Sequence, residues 1–230
     1  MSYPTSLSLR LLHHRYCNRE CQRNDWKWHK VDCGRLCTRR QIAKNDLISA
    51  AENGDLNQVR NLVQQGADVN DVINSGWSSL HASALGGHLT VVRFLVEHGA
   101  DKEAISNKGG TALCAAAREG HLDVVRYLAE QGADKDKAND TDATPLMIAA
   151  FCGHTAVVRY LAEQGCDVNK AVRCNDLTPL MIAAFEGHLE VVRCLVEQGA
   201  DNDKTVNGKN PLTLAVQRGH LEVAQYLREH

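Results

Sequence analysis

Four residues able to hold a metal crowd the start of the chain in the spacing Cys17-x3-Cys21-x7-His29-x3-Cys33. Thiolate and imidazole are soft ligands, and four of them match the number that tetrahedral zinc takes at a structural site. A helix would set His29 and Cys33 on one face, because they are four residues apart, with Cys17 and Cys21 supplied from the preceding turn or helix. One zinc held there would help to order a segment too short to fold on apolar burial alone. His13, His14 and Cys37 lie near enough to act as substitute ligands. A second outcome stays open, in which these cysteines sit on a basic arm and hold no metal.

The other candidates for chemistry point away from catalysis. His88, His121, His154, His188 and His220 each follow a glycine in the same phase. No nucleophile or carboxylate recurs beside them, so they read as turn residues that hydrogen-bond backbone groups. No phosphate loop, nucleophile elbow or dinucleotide fingerprint occurs. The chain is therefore expected not to be an enzyme. Nine cysteines make an odd total, and Cys114, Cys152, Cys166, Cys174 and Cys194 are scattered. That pattern argues against a secreted disulfide framework and for a reducing, intracellular setting, cytoplasmic or nuclear. No run of eighteen apolar residues is present, so no membrane span is expected.

Charge divides the chain. Residues 1–44 hold ten Lys and Arg against three Asp and Glu, and the remainder holds sixteen against twenty-five. The basic front, with Arg15, Arg19, Arg23, Lys27, Lys30, Arg35, Arg39 and Arg40, supports an alternative reading as a nucleic-acid-associated regulator, whose binding would weaken steeply with salt. The acidic remainder works against nucleic acid as the partner.

That remainder is periodic. Glycine recurs at Gly54, Gly87, Gly120, Gly153, Gly187 and Gly219, with spacings of 33, 33, 33, 34 and 32. Leu47, Leu80, Leu113, Leu146, Leu180 and Leu212 keep the same beat, as do Gly66, Gly99, Gly132, Gly165 and Gly199. Within one period, Thr144 caps a helix that Pro145 starts, and Ala149 and Ala150 allow close helix approach. Gly153 ends that helix, and Val157, Val158 and Leu161 form the apolar stripe of a second one that Gly165 ends. Each period is expected to be helix, turn, helix, turn, with few aromatic residues to fill the core and Ala, Val and Leu in their place.

The residues Thr144-Pro145-Leu146, Ala149-Ala150, Gly153-His154, Val157-Val158 and Gly165, with their counterparts one period away, resemble the ankyrin repeat. The resemblance implies an all-α solenoid of about six helix-turn-helix repeats over 41–230, divided as 45–75, 76–108, 109–141, 142–175, 176–206 and 207–230. Only Ser79-Leu80-His81 keeps the family's histidine after the leucine. Asn45, Asn53, Asn57 and Gln58 make the first copy polar, as a cap requires. At the other end Gln217, Arg218, Gln225, Arg228 and Glu229 either supply the polarity of a cap or mark a truncated array.

With Tyr16 before Cys17, and Gln22 and Trp26 between Cys21 and His29, residues 17–40 resemble the second half of a MYND zinc finger, behind a disordered tail over 1–16. The resemblance implies that Cys17 and Cys21 serve one zinc, and His29 and Cys33 another. The finger's first half has no counterpart before Tyr16, so the four ligands either gather one zinc or bind none. MYND fingers accept proline-containing peptides, and Gln22 and Trp26 match positions on that surface.

Ankyrin repeats, by the same resemblance, bind proteins through hairpin tips and the inner ends of the first helices. Trp77 and Leu177 fall at tips here, as do Lys108, Ala112 and Arg173, while Phe151 and Phe185 fall at first-helix ends in the same phase. Large exposed aromatics are typical interface anchors. The reading is a non-enzymatic scaffold that binds a protein partner in the ankyrin groove and zinc at the front finger.

Overall fold

The computed structural model describes residues 44–230 apart from Asn74, Lys108 and 173–175. Helical backbone over 44–52 (α1) leads to α2 (Leu56–Gln64), α3 (Ser79–Leu85), α4 (Leu89–Glu97), α5 (Ala112–Glu119), α6 (Leu122–Glu130), α7 (Pro145–Cys152), α8 (Thr155–Glu163), α9 (Pro179–Glu186), α10 (Leu189–Glu197), α11 (Pro211–Arg218) and α12 (Leu221–Glu229). Among the described residues there is no strand, only the isolated bridges Val72 with Ser78, Ser106 with Gly110 and Val206 with Lys209 at the hairpins between repeats. The fold is the all-α solenoid of helix-turn-helix repeats.

Local chemistry starts and stops each first helix. Thr144 Oγ1 accepts the Met147 amide at 3.3 Å and Thr178 Oγ1 accepts the Met181 amide at 3.3 Å. Pro145, Pro179 and Pro211 occupy first-turn positions where no donor is needed. Each of these helices closes on a left-handed glycine, as at Gly153 with φ of 81°.

The first helices α3, α5, α7, α9 and α11 stack in a row, each backed by its own second helix. Ala116, Ala117, Ala149, Ala150, Ala183 and Ala184 are fully buried between them, small enough to let the backbones come close. On the second helices, Val91, Val92 and Leu95 are fully buried, as are the matching triplets Val124, Val125 and Leu128, Val157, Val158 and Leu161, and Val191, Val192 and Leu195. Each such side chain contributes roughly 1.5–3 kcal/mol when taken out of water, but only if the next repeat is there to cover it. Asn45, Asn53, Asn57 and Gln58 are exposed at the front of the stack, and Gln217, Arg218, Gln225, Arg228 and Glu229 at its back.

The turn histidines do more than close a local turn. The ring of each reaches into the preceding repeat and donates from Nε2 to a carbonyl near the end of that repeat's first helix. His88 bonds Glu52 O at 2.9 Å, His121 Leu85 O at 2.9 Å, His154 Arg118 O at 2.8 Å, His188 Phe151 O at 2.9 Å and His220 Phe185 O at 3.0 Å. A carbonyl can only accept, so the proton sits on Nε2 in all five rings.

Loops at the opposite edge are stitched in a similar way. Asn70 donates to Gly99 O at 3.0 Å and accepts from Asp101 N at 2.7 Å, and Asn169 repeats the pair with Gly199 O and Asp201 N. Where Glu103 replaces that asparagine, its carboxylate accepts the Asp134 amide at 2.9 Å and meets Lys137 Nζ at 3.1 Å.

On the second helices an arginine of one repeat covers a ring of the next. Arg60 lies 5.7 Å from the Phe94 ring centre, Arg93 5.0 Å from Tyr127, Arg126 5.2 Å from Tyr160 and Arg193 5.4 Å from Tyr226. Cys194 takes the ring position after Arg159, which meets Glu197 at 3.7 Å in its place.

Gly153 and Gly165 separate backbone strain from repeat packing. Both have φ of 81°, but a Cβ on Gly153 would lie 2.8 Å from the His188 ring, whereas nothing stands within 4 Å of one on Gly165. Gly165→Ala should lose only the left-handed strain, on the order of 1–2 kcal/mol. Gly153→Ala should lose that and displace His188 as well. Urea unfolding of the two variants should show a distinctly lower midpoint for Gly153→Ala, and equal midpoints would show that the ring contact is unimportant.

Candidate functional site

Two helix ends carry the aromatic residues singled out above. Phe151 and Phe185 each lie one residue before the end of their helix, α7 and α9, at the second position before a left-handed glycine. Their carbonyls are the acceptors of His188 and His220, so the backbone beneath both rings is tied to the following repeat. Both first helices therefore present these side chains at the same height on successive repeats.

The two rings differ in what covers them. Phe151 is 55% exposed, a large value for a phenylalanine. Phe185 is half-buried, with the Arg218 guanidinium 3.8 Å from its ring centre. Arg218 comes from the end of α11, one repeat further on, and a cation held that close to an aromatic face is favourable.

Trp77 is half-buried at the hairpin before α3, and its ring centre lies 5.1 Å from that of His81. Leu177 is half-buried, and its carbonyl accepts the Val172 amide at 3.0 Å across the neck of a hairpin. Ala112 is no tip residue: it is the first residue of α5 and is buried, because Thr111 already caps the helix there. Lys108 and Arg173 lie outside the described residues, as do Cys17, Cys21, Gln22, Trp26, His29 and Cys33 and the segments 1–16 and 17–40 to which those six were assigned. Arg218 was singled out only for its polarity; its place over the Phe185 ring and the arginine-over-ring series along the second helices escaped the sequence reading. The recurring Val-Val-Arg followed by Phe, Tyr or Cys was the signal that could have found the series.

Among the described repeat thiols, Cys114, Cys166 and Cys194 are buried and Cys152 is half-buried. Burial pushes the Cys166 thiol up to about 11, and it raises Cys114, Cys152 and Cys194 as well. A thiol held protonated is a poor nucleophile and metal ligand. Among the described residues, no group of three or more His, Cys, Asp or Glu side chains is arranged to hold a metal ion. No described helix is long and apolar enough to cross a membrane.

The family model for ankyrin repeats in three copies matches residues 47–139, 105–172 and 170–230. The chain belongs to the ankyrin-repeat family. Its structure is similar to the crystal structure of the human ASB11 ankyrin repeat domain, at 30% identity and a TM-score of 0.73, over 80% of this chain and 82% of that one. No curated protein sequence matches it. Membership makes the repeats an interaction scaffold for protein partners, of a kind that generally performs no catalysis.

His81, the histidine beside Trp77, gives this end of the ankyrin stack a pH dependence. Its Nε2 donates to Gly110 O at 3.2 Å, while Nδ1 accepts from the Ser78 hydroxyl at 2.8 Å and, more weakly, from the Ser78 amide at 3.4 Å. That arrangement needs a neutral ring. Burial lowers the His81 pKa, against the opposing pull of the Gly110 and Ala104 carbonyls and the Asp101 carboxylate. The folded state then holds fewer protons on this ring than the unfolded chain, so stability is lost as pH falls below about 6.5. Melting temperatures at pH 7.5 and 5.5 should differ more for the native chain than for His81→Asn. An equal drop in both would locate the acid sensitivity elsewhere.

Proposed function

We propose that this chain holds a protein partner in its ankyrin groove, with Phe151 as the central anchor and Phe185, Trp77 and Leu177 around it. The observation that carries this reading is the exposure of Phe151, 55% at the end of a helix whose backbone is rigidly tied to the next repeat. An exposed ring on a fixed backbone gives contact area with little entropy left to lose, which is what a binding anchor needs. We also propose that the front of the chain is a partial MYND-type finger that holds one zinc through Cys17, Cys21, His29 and Cys33. Gln22 and Trp26 would then face a proline-containing peptide. The support for the finger is ligand type and spacing.

The full-length chain, Phe151→Ala and the outer-face control Arg126→Ala should be compared for the partners each retains. Phe151→Ala should weaken partner affinity by at least tenfold, the scale of an interface hot spot, and Arg126→Ala should leave it unchanged. Equal binding by all three would remove Phe151 from the interface.

Zinc content of the same chain beside the triple variant Cys17→Ser, Cys21→Ser and Cys33→Ser tests the finger. About one zinc per chain, lost in the variant, is the expected outcome. No zinc above the variant's background would leave the groove as the only site.

A further inference from the structure

Phe151 and Phe185 occupy the same position of neighbouring repeats, and only one of them has a cation over its face. Arg218, at the last position of α11, stands 3.8 Å from the Phe185 ring centre. The position that Arg218 holds in its repeat is held one repeat earlier by Glu186, at the last position of α9. Phe151 therefore has a carboxylate-bearing residue in register where Phe185 has a guanidinium, and it is the more exposed ring of the two.

The charges on the other side of Phe151 are mixed. Arg118 and Glu119 close α5, and both act on the thiol of Cys152, the residue next to Phe151. Two carboxylates against one guanidinium leave this stretch acidic, as the whole of residues 45–230 is, with sixteen Lys and Arg against twenty-five Asp and Glu. A cation over a ring face gains most when an anion stands beside it to balance its charge.

We propose that Phe151 is a receptor for a cationic side chain of the partner, an arginine or lysine of a basic peptide segment, which takes over Phe151 the place that Arg218 takes over Phe185. The inference rests on the groove reading above and adds the chemistry of what the groove selects. Glu186 and Glu119 supply the counter-charge, and the aromatic face supplies the preference for a flat guanidinium over a compact ammonium. The protein carries its own precedent for that contact one repeat away.

The test uses the full-length chain and a random heptapeptide display library selected on it. Peptides whose capture depends on Phe151, judged by loss on Phe151→Ala, should be enriched in arginine and lysine. Replacing arginine by citrulline in such a peptide should weaken it at least tenfold. Glu186→Arg should cap Phe151 as Arg218 caps Phe185 and abolish capture of these peptides, with Glu186→Gln losing less. Arg218→Glu should uncover Phe185 and raise the number of peptides bound per chain. All these positions are at helix ends on the surface, and an unchanged melting temperature confirms that each variant is folded. Phe151-dependent peptides without basic residues would overturn the cation inference and leave the groove reading standing. Capture that is indifferent to Phe151→Ala would overturn both.

Discussion

Each of the first five repeats of this protein is completed by a histidine from the next one. The five turn histidines send Nε2–H across the repeat boundary to carbonyls at Glu52, Leu85, Arg118, Phe151 and Phe185, at 2.8–3.0 Å. Those carbonyls belong to helix ends, where backbone acceptors would otherwise lack partners. A bond of this kind contributes about 0.5–1.5 kcal/mol, and leaving the acceptor dry and unmet costs more. The ring also fills the space over the left-handed glycine two residues after its acceptor, which is why a side chain at Gly153 meets His188. Orientation between repeats is thereby set at one point per junction, and the row of first-helix ends that it fixes is the row on which Phe151 and Phe185 stand.

Three further contacts repeat along with it and share the same one-dimensional logic. Val-Val-Leu stripes bury themselves only against a neighbour, loop asparagines bond the next loop's backbone, and arginines lie over the next repeat's rings. Stability of such a stack is a sum over repeats and junctions, so a defect acts locally before it acts globally. The junction beside Cys194 lacks the ring contact, and Arg159 turns to Glu197 there. It lies directly behind the part of the stack that carries Phe151 and Phe185. The surface proposed for binding is thus built on helices whose ends are tied, while the outer face behind it has one rung of its aromatic series replaced by an ion pair.

Two residues of one type in one register have different surroundings because the following repeats bring different residues to the matching helix end. Phe185 is covered by Arg218, and Phe151, with Glu186 in the matching place, is open. Burial and exposure here follow from what the next helix end brings, since neither ring is part of the apolar core between helices. Direction distinguishes the histidines: His81 is buried, bonded through Nδ1 to Ser78 of its own helix start and through Nε2 forward to Gly110 O of the next repeat, whereas the turn histidines each bond through Nε2 back to the preceding repeat.

Much of the fold was legible in the sequence because a period of 33 residues, proline and threonine at helix starts and glycine at helix ends are local signals that need no knowledge of the whole chain. The helix pairs and the buried valines of the second helices followed from phase, and phase put Phe151 and Phe185 at equivalent helix-end positions without separating them. Phase could not say that the turn histidines reach 35–37 residues back, that Ala112 is buried inside a helix start, or that Arg218 covers one phenylalanine and leaves its counterpart bare. Those outcomes depend on distances between repeats, and only the stacked backbone sets them. The sequence by itself determined which residues form each helix and which face each helix buries, because helix caps and periodicity act within a few residues. The tertiary structure decided which surface ring is left uncovered, because that depends on side chains contributed across a repeat junction.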